Sequence, residues 1–357
     1  MSDATDIRAM LAESAGNLFR DLVDPKLLAD AKTAGWSGKL WRAVQDAEFH
    51  RILLPEAAGG AGGSWSDAAA VLRVAARHSA PIPLAETWLA GWLLTEAKLP
   101  VPGETLTVAP VRDEILLVRR AGGTWRLDGT ATRVPYARIA HRIVLLAQGE
   151  AGDVVVCLDR AQGEIVAGRN LAGEPRDTLS FKRVGLASEQ IAPAPRALTH
   201  DALMLRGALL RAVQIGGALE AALDLAVRYA QERVQFGRKI GQFQALQQEL
   251  ARAAGEVAAA VAAGLSAAGV LDRQGDAETA IASAKLRANQ AAYEGAMVAH
   301  QVHGAIGVTD EYALHHATLR LLAWREEFGH EGYWAARLGR EAMARGADGL
   351  WPLLTAN

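Results

Sequence analysis

The chain has 357 residues, of which 50% are apolar and 22% charged, the make-up of a globular protein with a substantial core and room for two or three domains. Lysine and arginine (38) nearly balance aspartate and glutamate (40), for a formal net charge of −2; this excludes a strongly basic nucleic-acid binder and an acidic disordered chain. The single cysteine, Cys157, excludes an internal disulfide and a cysteine-based zinc site.

From the N-terminus, apolar residues recur at helical spacing over Ile7–Val23 and Trp36–Phe49. Asp3, Asp6, Arg8 and Glu13 leave no apolar leader. The longest uncharged run, Val257–Leu271, is too short to span a bilayer, so a soluble, cytoplasmic protein is expected with no membrane partner. The glycine-rich stretch from Pro55 to Gly63 reads as a loop. Ser66 and Asp67 read as a cap for a helix over Ala68–His78. Pro81 and Pro83 precede another helix, Glu86–Ala97. Trp36, Trp41, Trp88 and Trp92 at helical spacings are expected in the core.

The period then changes. Leu106–Val108, Ile115–Val118, Trp125–Leu127, Ile143–Leu146, Val154–Leu158 and Leu179–Phe181 are short, often β-branched runs separated by glycine, proline and aspartate. With no helices between them, they predict an antiparallel β-domain rather than a βαβ nucleotide fold, and no GxGxxG is present. From Leu198 the helical period returns. Leu209, Val213, Gly216, Leu219, Leu223, Ala226 and Ala230 form one stripe, and further helices are expected over Phe243–Asp272, Ala277–Val302 and Tyr312–Phe328. The expectation is α+β: an N-terminal helical domain (1–104), a central antiparallel β-domain (105–196) and a C-terminal four-helix bundle (197–357).

Two segments of the last zone stand out. Arg233-Val234-Gln235-Phe236-Gly237-Arg238-Lys239 puts three cations at one turn, with Gln244 eleven residues beyond Arg233. Guanidinium groups match a pyrophosphate in a fork geometry, although charge alone favours a solvated helix end. Gln301-Val302-His303-Gly304-Ala305-Ile306-Gly307 ends a helix in small residues that let a backbone approach a flat ligand. The plain alternative is a glycine-terminated helix. His315 and His316 are adjacent, so they do not share a helix face for a metal, and no metal site is expected. No Gly-x-Ser-x-Gly or Cys–His arrangement argues for hydrolysis.

The ordered set Arg233-Val234-Gln235-Phe236-Gly237, Phe243-Gln244, Gln301 to Gly307 and Glu311-Tyr312 resembles the C-terminal bundle of the acyl-CoA dehydrogenase family. Pro55-Glu56 with Gly59, Gly60 and Gly62, and Ala80 to Thr87, resemble its N-terminal helical domain. The resemblance implies a flavoprotein oxidoreductase whose FAD lies between the β-domain and the bundle and partly against a neighbouring subunit. Carried over, Arg233 and Phe236 would meet the pyrophosphate and adenine side, and Gln244 would reach the same cofactor. Gln301, Val302, His303, Gly304 and Ala305 would form a backbone cradle. The implied chemistry is α,β-dehydrogenation of an acyl-CoA, with electrons passed on to an electron-transferring flavoprotein.

Three family features differ in this chain. Its Thr-Glu-Pro motif is replaced by Val108-Ala109-Pro110-Val111-Arg112, and its Trp-Ile-Thr/Ser motif falls on Arg133-Val134-Pro135, with Arg133 read as a surface strand residue. One family position for the catalytic base is Phe328, before Gly329, and the other falls near Gly207. A one-residue slip would make Glu327 the catalytic carboxylate. Two expectations follow: an FAD-dependent acyl-CoA dehydrogenase acting as a homo-oligomer, or a non-catalytic or half-site subunit of a hetero-oligomeric one.

Overall fold

The computed structural model describes residues 2–110, 116–121 and 124–355. The chain gathers into two compact units, each drawn from separated stretches: Met1–Leu28, Trp65–Ala80 and Ala208–Asn357 in one, Ala29–Ser64 and Pro81–Gly207 in the other. The N-terminal helical zone therefore divides between them.

The helices of that zone are α1 (Ser2–Leu22), α2 (Pro25–Ala34), α3 (Gly38–Asp46), α4 (Trp65–Arg77) and α5 (Leu84–Glu96). Helix α2 is an addition to the sequence reading. Proline starts it, and the Asp24 carboxylate accepts from Leu27 N–H at 2.6 Å. Helix α5 is buried all round from Leu84 to Leu94, so it has no polar face. Two of its polar side chains bond within their own unit, while the Thr95 hydroxyl is buried without a hydrogen-bond partner among the described residues. Thr87 Oγ1 donates to the Leu106 carbonyl at 3.0 Å, and Trp88 Nε1 donates to the Phe49 carbonyl at 3.0 Å. Trp41, Trp88 and Trp92 are buried as expected, and Trp36 is half-buried.

The sheet of that unit comprises β1 (Leu106–Val108), β2 (Leu117–Ala121), β3 (Thr124–Pro135), β4 (Arg142–Gly149), β5 (Gly152–Asp159), β6 (Glu164–Val166), β7 (Arg176–Leu186) and β8 (Ile191–Pro193). The strand order is β6-β7-β3-β2-β4-β5-β8, with β1 also paired to β4. Most pairs are antiparallel, but β1 and β2 each run parallel to β4. The sheet is therefore mixed, which corrects the expectation of a wholly antiparallel domain. Strand β5 fills one edge of β4 from Arg142 to Gly149, and β1 and β2 share the other, at Leu106–Val108 and Leu117. Val111, Arg112 and Ile115 lie outside the described residues. One face, with Val118, Leu127, Ala131, Ile143, Leu145, Val156, Leu158, Leu179 and Phe181, closes a core; each buried aliphatic side chain contributes about 1.5–3 kcal/mol. Arg133 is exposed on β3, as read.

The other unit is helical. After α1 and α4 it contains most of α6 (His200–Glu232), a hairpin of β9 (Val234–Gln235) and β10 (Arg238–Lys239), then α7 (Gln244–Asp272), α8 (Ala277–His303), α9 (Leu314–Trp324) and α10 (Glu331–Thr355). A fifth long helix, α10, thus joins the four expected; it is interrupted at Gly346 (φ 70°). Ser66 and Asp67 do not cap α4, which already starts at Trp65. Its first amides are held from α7 instead: Trp65 N–H and Ser66 N–H donate to the Asp272 carboxylate at 2.8 and 3.0 Å. A carboxylate on free helix-start amides is favourable through both hydrogen bonding and the helix dipole. By length and composition alone α6 and α7 could each cross a membrane; most of the apolar window of α6 is buried, and a third of that of α7.

Candidate functional site

The Arg233 segment is a β-hairpin closing directly on the end of α6. Arg233 N–H donates to the Tyr229 carbonyl at 2.9 Å, and Ile240 N–H donates to the Arg233 carbonyl at 2.9 Å. Phe236 (φ 53°) and Gly237 (φ 77°) occupy the two turn positions, which is what a two-residue type I′ hairpin demands. The turn leaves the Phe236 ring 91% exposed, edge-on to Phe243 at 6.2 Å. Arg238 lies over the Phe243 ring at 4.1 Å. Arg233 is exposed, and among the described residues no carboxylate pairs with its guanidinium. Gln244, the first residue of α7, is also exposed.

The Gln301 segment ends α8. Gln301, Gly304 and Ala305 are exposed, whereas Val302 and His303 are buried. Gly304 has φ 63° and ψ −142°, a conformation costly for any residue with a Cβ. A Cβ there would meet no protein atom within 4 Å, so the backbone borders open space. His303 points inward: its Nδ1 is 2.7 Å from the Ala299 carbonyl and its Nε2 is 3.1 Å from the Tyr312 hydroxyl. Its ring stacks on Tyr229 at 4.7 Å. Burial pushes its pKa below the ordinary histidine value, against the pull of the Ala299 and Leu225 carbonyls. The two segments lie at one end of the bundle, since Ala226, Ala230, Val298, Ala299, Val302 and Leu314 share one core with Tyr229, Ile240 and Leu246.

Glu327 is elsewhere. It follows α9 in a turn that directs its carboxylate inward, 2.8 Å from the Nε of Arg211 on α6. The two side chains are 18% and 2% exposed. Glu326 faces solvent. Phe328 adopts φ 51° and Gly329 φ 95°, and the Arg211 guanidinium lies 5.7 Å from the Phe328 ring. The Trp334 indole donates to the Phe328 carbonyl at 3.1 Å. Because α6 rises about 1.5 Å per residue, Arg211 and Glu232 are about 30 Å apart along it. The structure therefore brings Arg233, Phe236, Gln244 and Gln301–Ala305 together, and places Glu327 about 30 Å away along α6, beside Arg211.

Sequence reading missed the residues that hold the Glu327 turn. Lys285 on α8 is fully buried. Its ammonium donates to Asn289 Oδ1 (2.6 Å) and to the Trp324 and Arg325 carbonyls (3.1 Å each). Burial pushes its pKa down to about 7, with Glu327 opposing. Asn289 in turn donates to the Gly329 carbonyl at 3.3 Å. The available signal was a lysine on the apolar stripe Ile281, Ala284, Ala288, Ala292.

Comparison with known proteins bears on both ends of the bundle. Residues 5–97 match the family model of the acyl-CoA dehydrogenase N-terminal domain, and residues 197–343 that of the C-terminal domain. The chain is 32% identical over 314 residues to the acyl-CoA dehydrogenase IpdE2 of Mycobacterium tuberculosis, covering 86% of this chain and 88% of that protein. Among solved structures, the Tcur3481-Tcur3483 steroid ACAD superposes with a TM-score of 0.86 at 26% identity, over 97% of this chain and 99% of that one. The ChsE4-ChsE5 complex from Mycobacterium tuberculosis gives a TM-score of 0.86 at 23% identity, over 94% and 96%, and shares the fold.

Proposed function

The chain belongs to the acyl-CoA dehydrogenase family of oxidoreductases, and we propose that it acts as a subunit of an FAD-dependent acyl-CoA dehydrogenase whose active site a partner chain completes. The observation that carries this reading is the separation of the two candidate sites. The unpaired Arg233 guanidinium and the Gln301–Ala305 turn stand at one end of α6. Glu327, one residue before the family base position at Phe328, stands about 30 Å away along that helix and is held by Arg211.

The residues present fit a flavin nucleotide. Arg233 offers an exposed planar cation suited to a pyrophosphate. Phe236 offers an exposed aromatic face for a flat base. Gln244 and Gln301 offer exposed amides, and the Val302–Ala305 backbone borders open space at Gly304. When bound, FAD would supply the acceptor for the hydride leaving the acyl β-carbon, and an electron-transferring flavoprotein would reoxidise it. In this chain, Arg233 binds and neutralises phosphate charge, and the hairpin and turn orient the nucleotide. Removal of the α-proton needs a carboxylate presenting a lone pair within about 3 Å of the substrate. Phe328 has no basic atom and Glu327 has one carboxylate oxygen held by Arg211; in this reading the proton passes to the partner's base. The steroid ACAD relative supports a bulky, ring-bearing acyl group on the thioester.

A second reading keeps the complete reaction in this chain with Glu327 as base; its inward orientation favours that. Glu327→Gln decides between the two. In the supporting-subunit reading the isolated chain does not bleach its flavin with acyl-CoA, and the substitution leaves bleaching by the assembled complex unchanged. Bleaching by the isolated chain that Glu327→Gln abolishes would overturn it.

A further inference from the structure

We infer that the His303 side chain is a positioning residue that couples the Arg233–Lys239 hairpin to the Gln301–Ala305 turn, so that the two halves of the nucleotide site form one cooperative element. The inference rests on the flavin-site reading for its functional consequence, but the coupling itself is a property of the chain.

Three elements meet at this imidazole. From α8, the Ala299 carbonyl lies 2.7 Å from Nδ1. A carbonyl can only accept, so Nδ1 carries the proton, and in this neutral tautomer Nε2 is the acceptor; the Leu225 carbonyl of α6 also bears on the ring. From the segment before α9, the Tyr312 hydroxyl therefore donates to Nε2, at 3.1 Å, with its ring 4.8 Å away. From the last turn of α6, Tyr229 stacks on the imidazole at 4.7 Å and stands edge-on to Tyr312 at 6.1 Å. The carbonyl of Tyr229 accepts the amide of Arg233 at 2.9 Å, and the carbonyl of Arg233 accepts the amide of Ile240 at 2.9 Å, closing the hairpin. On the other side, His303 immediately precedes Gly304, and a Cβ on Gly307 would stand 2.9 Å from the His303 Cβ. Displacing the ring thus disturbs the hairpin through Tyr229 and the turn through its own backbone.

A histidine that only filled space could be replaced by another ring. This one makes two directional bonds that require one neutral tautomer. Protonation would give Nε2 a hydrogen and remove the acceptor for Tyr312. The charged and titratable groups around the cluster are Arg228, Tyr229 and Glu232 on α6, His300 on α8, Tyr312, and His315 on α9. Burial keeps His303 neutral at pH 7, so the coupling is intact there and weakens as the pH falls through the lowered histidine value.

The test is amide hydrogen exchange by mass spectrometry on the full chain at pH 7, with FAD titrated separately by flavin fluorescence. His303→Phe keeps a ring and loses both bonds; Tyr312→Phe keeps both rings and loses one bond. Each variant is expected to lose protection about tenfold in both 234–240 and 304–309. The double variant is expected to be no worse than His303→Phe, because the lost bond is shared. In the wild type, protection of both segments, corrected for intrinsic exchange, should fall together in acid. If His303→Phe does not fold, Tyr312→Phe gives the same reading. Loss confined to 304–309, additive effects in the double variant, or unchanged protection of the hairpin would overturn the coupling. The FAD titration tests the site separately: the variants should bind about tenfold more weakly. Failure of wild type to bind FAD, alone or in its assembly, would overturn the flavin reading while the exchange result still decides the coupling.

Discussion

Lys285→Met removes a buried cation while keeping a similar volume, and its consequence is a change in how stability depends on pH. The ammonium is fully buried on α8 and bonded to Asn289 and to the last carbonyls of α9. Burial lowers its pKa from 10.5 to about 7. Below about pH 7 the lysine is protonated in both the folded and unfolded chain and adds no slope. Between about 7 and 10.5 the unfolded chain holds a proton that the folded chain does not, so unfolding takes up a proton and stability rises with pH. One pKa unit corresponds to about 1.4 kcal/mol, so the rise from pH 7 to about pH 9 is roughly 3 kcal/mol. Above pH 9 Cys157 acts the other way, because burial pushes its thiol from 9.0 up to about 11; the window should end there. The variant strands three acceptors, at about 1–3 kcal/mol each, and relieves the burial of a charge, so the two offsets oppose each other. The slope is the signature. Urea denaturation of both proteins at several pH values from 7 to about 9 should show wild type gaining about 1.4 kcal/mol per pH unit relative to the variant. Parallel profiles would refute the reasoning and show that Lys285 stays charged throughout.

Asp272→Ala should lower stability by about 2 kcal/mol, read as a drop in denaturant midpoint, because the Trp65 and Ser66 amides and the Ser66 hydroxyl all lose their acceptor; Asp272→Asn should recover part of it, and an unchanged midpoint for Asp272→Ala would show that water replaces the cap. Gly329→Ala should cost about 2–4 kcal/mol, since a Cβ at φ +95° would stand 2.4 Å from the Trp334 indole nitrogen and 2.8 Å from Tyr333 Cδ1; a thermal midpoint like wild type would mean that the turn relaxes freely.

What could be read in the sequence follows from how local its cause is. The bundle helices carry period-3.6 stripes, and the strands of the β-domain carry β-branched runs bounded by turn residues, so both were readable. Helix α5 was found by its prolines, although burial on every side erases its polar face. The parallel pairing of β1 and β2 with β4 depends on which edge β5 leaves vacant, which no local pattern records. The Ser66-Asp67 pair looked like a cap because cap chemistry is local, while the acceptor came from Asp272, about two hundred residues on. At the site, Arg233 and the Gln301 segment were readable as exposed motifs. The hairpin was not, because Phe236 stands at positive φ where glycine or asparagine is usual. Arg211 and Lys285 were silent because each reads as one cation on a helix. Their meaning lies in what they meet from the turn after α9.

The claim that this chain lends a cofactor cradle to a shared flavin site is tested most directly by FAD titration of the assembled protein with and without Arg233→Ala. A guanidinium facing a pyrophosphate contributes about 1.5–3 kcal/mol through charge-assisted hydrogen bonds, so the substitution should weaken FAD binding by about one to two decades with the assembly intact. Equal FAD affinity in the two proteins, or an assembly that never binds flavin, would contradict the account.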